Sequence, residues 1–213
     1  MNIKKSMALS LVAMMTITPM TAKAEELVIM PISAPIEANE DERVMYPEFT
    51  EFRGKIDEIY AEGDHFYIVA RNEIIEGGLN ALRAYIDKDV ILLNNKDMNF
   101  ADKDELVVGA DVIIYYHKDT IMAMSYPPML SPDVVIINEN EQQGAMVSKF
   151  DNEFLNAEKD LYARPSDETI VIDKDGNKLT KEDMKNRDAV IFYDIVLESH
   201  PAQTTPKKVV VMP

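Results

Sequence analysis

The chain has 213 residues, a formal net charge of −16, no cysteine and no tryptophan. So acidic a chain is repelled by nucleic acid and by anionic lipid surfaces, no disulfide braces it, and thiol catalysis is excluded. It is long enough for one or two small domains held together by hydrophobic burial alone.

Residues 1–24 read as a secretory signal peptide: Lys4 and Lys5 form a basic start, "MALSLVAMMTITPM" an apolar core, and Ala22-Lys23-Ala24 a small-x-small cleavage site. Removing this segment, which holds three lysines and no acid, takes the formal charge from −16 to −19. No cysteine follows to carry a lipid, and no later apolar run approaches the roughly 18 residues of a membrane span. The expected location is secreted, extracellular or cell-wall associated. Residues 25–51, with Pro31, Pro35, Pro47 and the acidic run Glu37 to Glu42, read as a tether with one short strand at Leu27–Met30.

From Phe52 the texture changes to short β-branched segments between turn residues, which predicts an all-β domain over 52–138. Segments 56–60 and 65–71 flank "AEGD" as a hairpin, and "LRAYID" and "DVILLN" follow as strands. "FADKDEL" predicts a helical turn capped by Asp102 with Glu105 three residues on. "ADVIIYYHKDTIMAMSY" reads as a long strand or hairpin, and "DVVIIN" closes the unit. A second module over 139–213 restates this order. "DETIVID" matches "KDVILLN", "LTKEDM" repeats the cap with Thr180 and Asp183, and "AVIFYDIVLESH" matches the long segment, with Tyr193 set equivalent to Tyr115. The first hairpin has only a weak counterpart, for which Val134–Asn138, "ENEQQG" and Ala145–Phe150 are candidates. The period is about 80 residues.

The clearest echo is "SYPPMLSPDVVII" against "SHPAQTTPKKVVV". Pro127 and Pro201 are expected to end a strand, and Pro132 and Pro206 to fix the backbone before the last one, making each proline pair a rigid crossover. A recognition loop is the functional alternative. Five or six short strands and one helical turn per unit predict two tandem small barrels, closed or half-closed and OB-like, rather than a sandwich.

"PAQTTPKKVVV" after "VIFYDIV" and "DGNKLTKEDM" resembles a group of uncharacterised secreted proteins of clostridial-type, Gram-positive anaerobes, best over 170–213 and more loosely over 52–137. Some members stand beside modules similar to the copper amine oxidase N-terminal domain, regarded as stalk or envelope modules. The resemblance implies residence at a Gram-positive envelope and brings neither an activity nor catalytic residues. The first copy departs from it, with "PPMLSPD" for "PAQTTPK".

Several constellations invite chemistry. Asp173, Asp175 and Asn177 fall on the first three ligand positions of a calcium loop, but Lys178 stands where glycine is required and Met184 where a bidentate acid belongs. A tight turn at Asp175-Gly176 is the simpler reading. His117, Met122, Met124 and Met129 have ligand types suited to Cu(I), although strand parity sets His117 opposite Met122 and Met124. Acid groups such as Glu153, Glu158 and Asp160, or Asp102, Asp104 and Glu105, could be imagined as a glycosidase pair, yet they lack any aromatic platform. No nucleophile elbow and no phosphate-binding glycine loop occurs, and His200 beside Ser199 points to the opposite face of a strand. For binding, Tyr115, Tyr193 and Tyr126 are the aromatic candidates, since Tyr115 and Tyr116 face opposite ways and one of them turns outward or into a seam. His200, Gln203, Thr204 and Thr205 complete the set. The expectation is an exported, non-enzymatic tandem β-module without cofactor, scaffolding or binding a cell-wall component or extracellular protein, with self-association through edge strands as a further route. A calcium- or copper-dependent binding protein and a wall hydrolase are the alternatives.

Overall fold

Apolar runs between turn residues become strands throughout. The computed structural model describes residues 47–63, 65–73 and 78–213. The expected leader and the Leu27–Met30 strand lie outside these residues. The first half contains β1 (Phe49–Glu62), β2 (His65–Arg71), β3 (Ala81–Tyr85), β4 (Ile91–Asn94), β5 (Asn99–Phe100), β6 (Asp111–His117), β7 (Met129–Leu130) and β8 (Val134–Ile137). The second half contains β9 (Gly144–Phe150), β10 (Leu161–Ala163), β11 (Ile170–Asp173), β12 (Arg187–Tyr193), β13 (Val196–Leu197), β14 (Ala202–Thr204) and β15 (Lys208–Val211). The fold is all-β. Strand begins at Phe49, inside the stretch expected to be tether, because Phe49 and Phe52 are both buried.

β1 serves two partners. Phe49–Lys55 pairs antiparallel with β6, and Lys55–Glu62 pairs antiparallel with β2, with a register shift between Ile56 and Glu58. The first-half sheet runs β5-β4-β8-β6-β1-β2-β3-β7, with β3 parallel to β7 and β4 parallel to β8. No ladder joins the end strands β5 and β7, and the second half divides into sheets β10-β14-β13 and β11-β15-β12-β9. Of the closed or half-closed barrels expected, the closed form is absent from the ladders, where Ser131-Pro132-Asp133 and Thr205-Pro206-Lys207 interrupt the strands.

The same local geometry occurs in both halves. β10 is parallel to β14 as β3 is to β7, and β11 to β15 as β4 is to β8. The helical turns are 3₁₀ segments at Lys103–Glu105 and Lys181–Met184, and Glu105 and Asp183 accept from the backbone N–H of Asp102 and Thr180 at 2.9 and 2.8 Å, as the cap spacing predicts. Ser125 and Ser199 each donate to the carbonyl two residues on, Pro127 and Pro201, at 2.7 Å, and the bonds before both prolines are cis. These prolines occupy the turns that lead into β7 and β14 rather than the ends of the long strands. What lies between each proline pair is itself a short strand, not a bare crossover.

Ladder register corrects one equivalence. β6 sets Tyr115 opposite Val134, and β12 sets Phe192 opposite Lys208, so Tyr115 corresponds to Phe192 and Tyr116 to Tyr193. A slip of one residue exchanges the faces of a strand. Here the faces matter on both sides. Leu92, Val112, Ile114, Val135 and Ile137 bury into a first-half cluster, and Val171, Ala189, Ile191, Val209 and Val211 into a second-half cluster. The opposite faces of these strands meet between the halves: Ile91, Leu93, Ile113, Tyr115, Val134 and Ile136 pack with Val147, Val190, Phe192, Val210 and Met212. Strands covered on both faces read as unbroken apolar runs, which is why "ILL", "VIIYY", "VVII" and "VVV" carry no polar alternation.

Gly54 sits where β1 passes from one partner to the other. A Cβ there would lie 2.7 Å from the Arg71 carbonyl oxygen and 2.9 Å from the Phe52 ring. The backbone oxygen cannot swing aside as a side chain can. Gly54→Ala is expected to cost about 1–3 kcal/mol in urea denaturation through local overpacking, whereas Gly63→Ala, with open space around it, is expected to cost less despite its positive φ.

Candidate functional site

An open concavity with polar and apolar lining lies at the edge of the β10-β14-β13 sheet, with a volume of about 390 Å³. It is bounded by Arg164, Asp194, Ile195, Leu197, Gln203, Thr204, Thr205 and Lys207. The parallel pairing of β10 with β14 brings Arg164, just past β10, beside Gln203, where Arg164 Nη1 donates to Gln203 Oε1 at 3.2 Å. The same guanidinium lies over the Tyr162 ring, 4.6 Å from its centre, as a cation–π contact. Gln203 Nε2 donates to Ser199 Oγ at 3.2 Å, tying the groove to the proline turn. Thr204 is buried and donates to the Ile195 carbonyl at 2.7 Å, fixing the path of β13 against β14. Lys207 and Asp194 form an ion pair on one wall. β13 is the free edge of its sheet, and large apolar groups stand exposed along and just before it, with Ile195 72% and Leu197 62% exposed.

Of the residues singled out from sequence, Gln203, Thr204 and Thr205 converge on this groove. His200 is exposed in the turn beside it, and Tyr126 is 92% exposed in the corresponding turn of the first half. Tyr115 and Tyr193 lie elsewhere. Tyr115 is only 4% exposed, within the cluster shared by the halves, so it offers no contact surface. Its hydroxyl donates to Glu51 Oε2 at 2.9 Å and approaches the Ala145 carbonyl at 3.1 Å. Burial, with Glu51 beside it, pushes this phenol far above its ordinary range. Burial also pushes the Glu51 carboxyl up, but the Arg53 guanidinium, paired at 2.8 Å, and the Tyr115 hydroxyl more than offset it, leaving Glu51 below its ordinary range. Tyr193 is half-buried, with its ring against the bare Cα of Gly144, where a Cβ would come within 2.5 Å. Sequence reasoning missed Arg164, Ile195 and Leu197. Arg164 reaches the groove through a parallel pairing that no local pattern announces, whereas the apolar trio Ile195-Val196-Leu197 between Asp194 and Glu198 was visible as an apolar tip between acids.

The other constellations are taken up locally. Asp173 Oδ1 accepts from the backbone N–H groups of Asp175 and Asn177, and Oδ2 from Asn177 Nδ2, which is an Asx turn with Gly176 at φ 82°. Among the described residues no group of three or more His, Asp or Glu side chains converges as a cation site would require. His117 turns to Glu48 at 3.2 Å, Met122 packs on the first-half core, and Met124 stands 94% exposed. Glu158 accepts from Ser148 Oγ at 2.8 Å and Asp160 from Asn156 Nδ2 at 2.6 Å, each serving a loop. The groove itself has donors, one carboxylate and apolar side chains.

Tyr115→Phe removes the hydroxyl that serves both Glu51 and Ala145 and is expected to cost about 1–3 kcal/mol in chemical denaturation. Glu51 has a depressed folded-state pKa, so it contributes stability above the ordinary carboxylate range, and that contribution is lost as pH falls through the folded-state value. Its side chain is 44% exposed, so the effect is partly screened. Glu51→Gln is accordingly expected to make thermal stability less steep in acid, read from melting curves across the acid limb.

No known family model matches the chain, and no curated protein matches it significantly.

Proposed function

We propose that the chain is an exported, non-enzymatic tandem β-module that binds or scaffolds at the bacterial envelope or outside the cell. Each half is an opened OB-like unit, and the two arise from an internal repeat of about 80 residues. The matching parallel ladders, β3 with β7 and β10 with β14, support that reading, as do the paired Ser–Pro turns. Export rests on the basic start, apolar core and Ala22-Lys23-Ala24 of the leader. The observation that carries a binding role is the groove beside β13. There an unpaired edge, exposed Ile195 and Leu197, and the oriented donors of Arg164 and Gln203 lie together. An extended ligand would lay its apolar parts on Ile195 and Leu197 and place an acceptor against Arg164.

Co-sedimentation of the chain lacking its first 24 residues with purified Gram-positive cell-wall sacculi, over a salt series with and without calcium, tests the proposal. Salt-resistant binding is expected, weakened roughly tenfold by Arg164→Ala or Leu197→Asp, a loss of about 1.4 kcal/mol. Absence of binding at every condition overturns the envelope reading. Binding that both variants leave intact removes the groove from it.

A further inference from the structure

Lys208 opens β15 at the register position that Val134 occupies in the first half. Val134 is wholly buried there, and Lys208 is only 8% exposed. A buried ammonium is costly unless something compensates it. The group it meets is a neutral carboxamide: Lys208 Nζ lies 3.0 Å from Oδ1 of Asn99, 109 positions away in the other half. That carboxamide is held from its other end, because Asn99 Nδ2 donates to Asp97 Oδ2 at 2.9 Å while the Asn99 backbone N–H donates to Asp97 Oδ1 at 3.0 Å. Amine, carboxamide and carboxylate thus form a chain of contacts, with the acid on the nitrogen that would leave. Burial pulls the Lys208 ammonium below its ordinary range, with Asp97 opposing in part, so a larger share is free amine than on an exposed lysine.

We infer that Lys208 and Asn99 form an intramolecular amide cross-link between the two halves, with Asp97 carrying the proton. The Nζ lone pair attacks Asn99 Cγ and a C–N bond forms. Asp97 accepts the proton shed by the attacking nitrogen and delivers it to Nδ2. The Cγ–Nδ2 bond then breaks and ammonia departs. One amine and one primary amide become one secondary amide and one ammonia, with no change of oxidation state and no co-reactant. The product is neutral, so the reaction removes the buried charge that the Lys208 position otherwise carries. In a chain without cysteine, it also supplies the covalent tie that a disulfide would.

Intact-mass measurement of the purified full chain tests this. The expected product is lighter than the sequence mass by one ammonia, and tryptic digestion yields a branched peptide joining the Asn99 segment to the Lys208 segment, with no cleavage after Lys208. Lys208→Arg keeps the cation and Asn99→Ala removes the acceptor. Each is expected to restore the full mass while circular dichroism shows the same β content. Asp97→Asn is expected to slow bond formation at least about a hundredfold. Loss of ammonia without the branched peptide would mean cyclisation at an asparagine and would overturn the assignment. So would a full-mass wild-type chain that stays unchanged on prolonged incubation of the folded protein at mildly alkaline pH.

Discussion

The structure depends on one constraint: the strands at the middle of each half are buried on both faces. β4, β6 and β8 give one face to the first-half core and the other to the second half, and β12 and β15 mirror them, while the edge strand β11 does so only in part. A two-sided strand tolerates no slip, since moving it by one position would exchange two sets of contacts at once, and its buried polar residues, Asn94 and Lys208, stand only at strand ends. Polar chemistry is thereby driven outward to turns, sheet edges and the seam's margin. The groove beside β13, the Asx turn at Asp173 and the Lys208–Asn99 contact all lie where this burial runs out.

What was legible in the sequence followed local chemistry. The helical turns announced themselves because an acid three residues past Asp102 or Thr180 has a definite partner to reach. Strand positions followed from β-branched runs between turn residues. The face assignment within those runs did not, because "VIIYY" and "AVIFY" contain no internal marker of which residue faces which core. Matching them by tyrosine set Tyr115 against Tyr193, whereas hydrogen bonding sets it against Phe192. The unbroken apolar character of the runs was the available signal for two-sided burial, and it would have argued against an exposed Tyr115.

The groove was half legible for a related reason. Gln203, Thr204 and Thr205 stood out because they break an otherwise repeated phrase. Arg164 did not, because a parallel ladder brings it to Gln203 from 39 positions away. Lys208 follows the exposed Lys207, yet the strand carries it inward, which no local pattern announces. Parallel pairings and seams are non-local, and no window along the chain contains both partners.

The bonded path from Tyr115 through Glu51 to Arg53 has an optical corollary. The chain has nine tyrosines and no tryptophan, and among the described residues Tyr115 is the buried one. Its phenol resists ionisation while the fold holds, because the neighbouring carboxylate and the surrounding apolar side chains disfavour a phenolate. Ultraviolet absorbance during an alkaline titration therefore carries a built-in chromophore for the seam: the Tyr115 phenol ionises only when the two halves part.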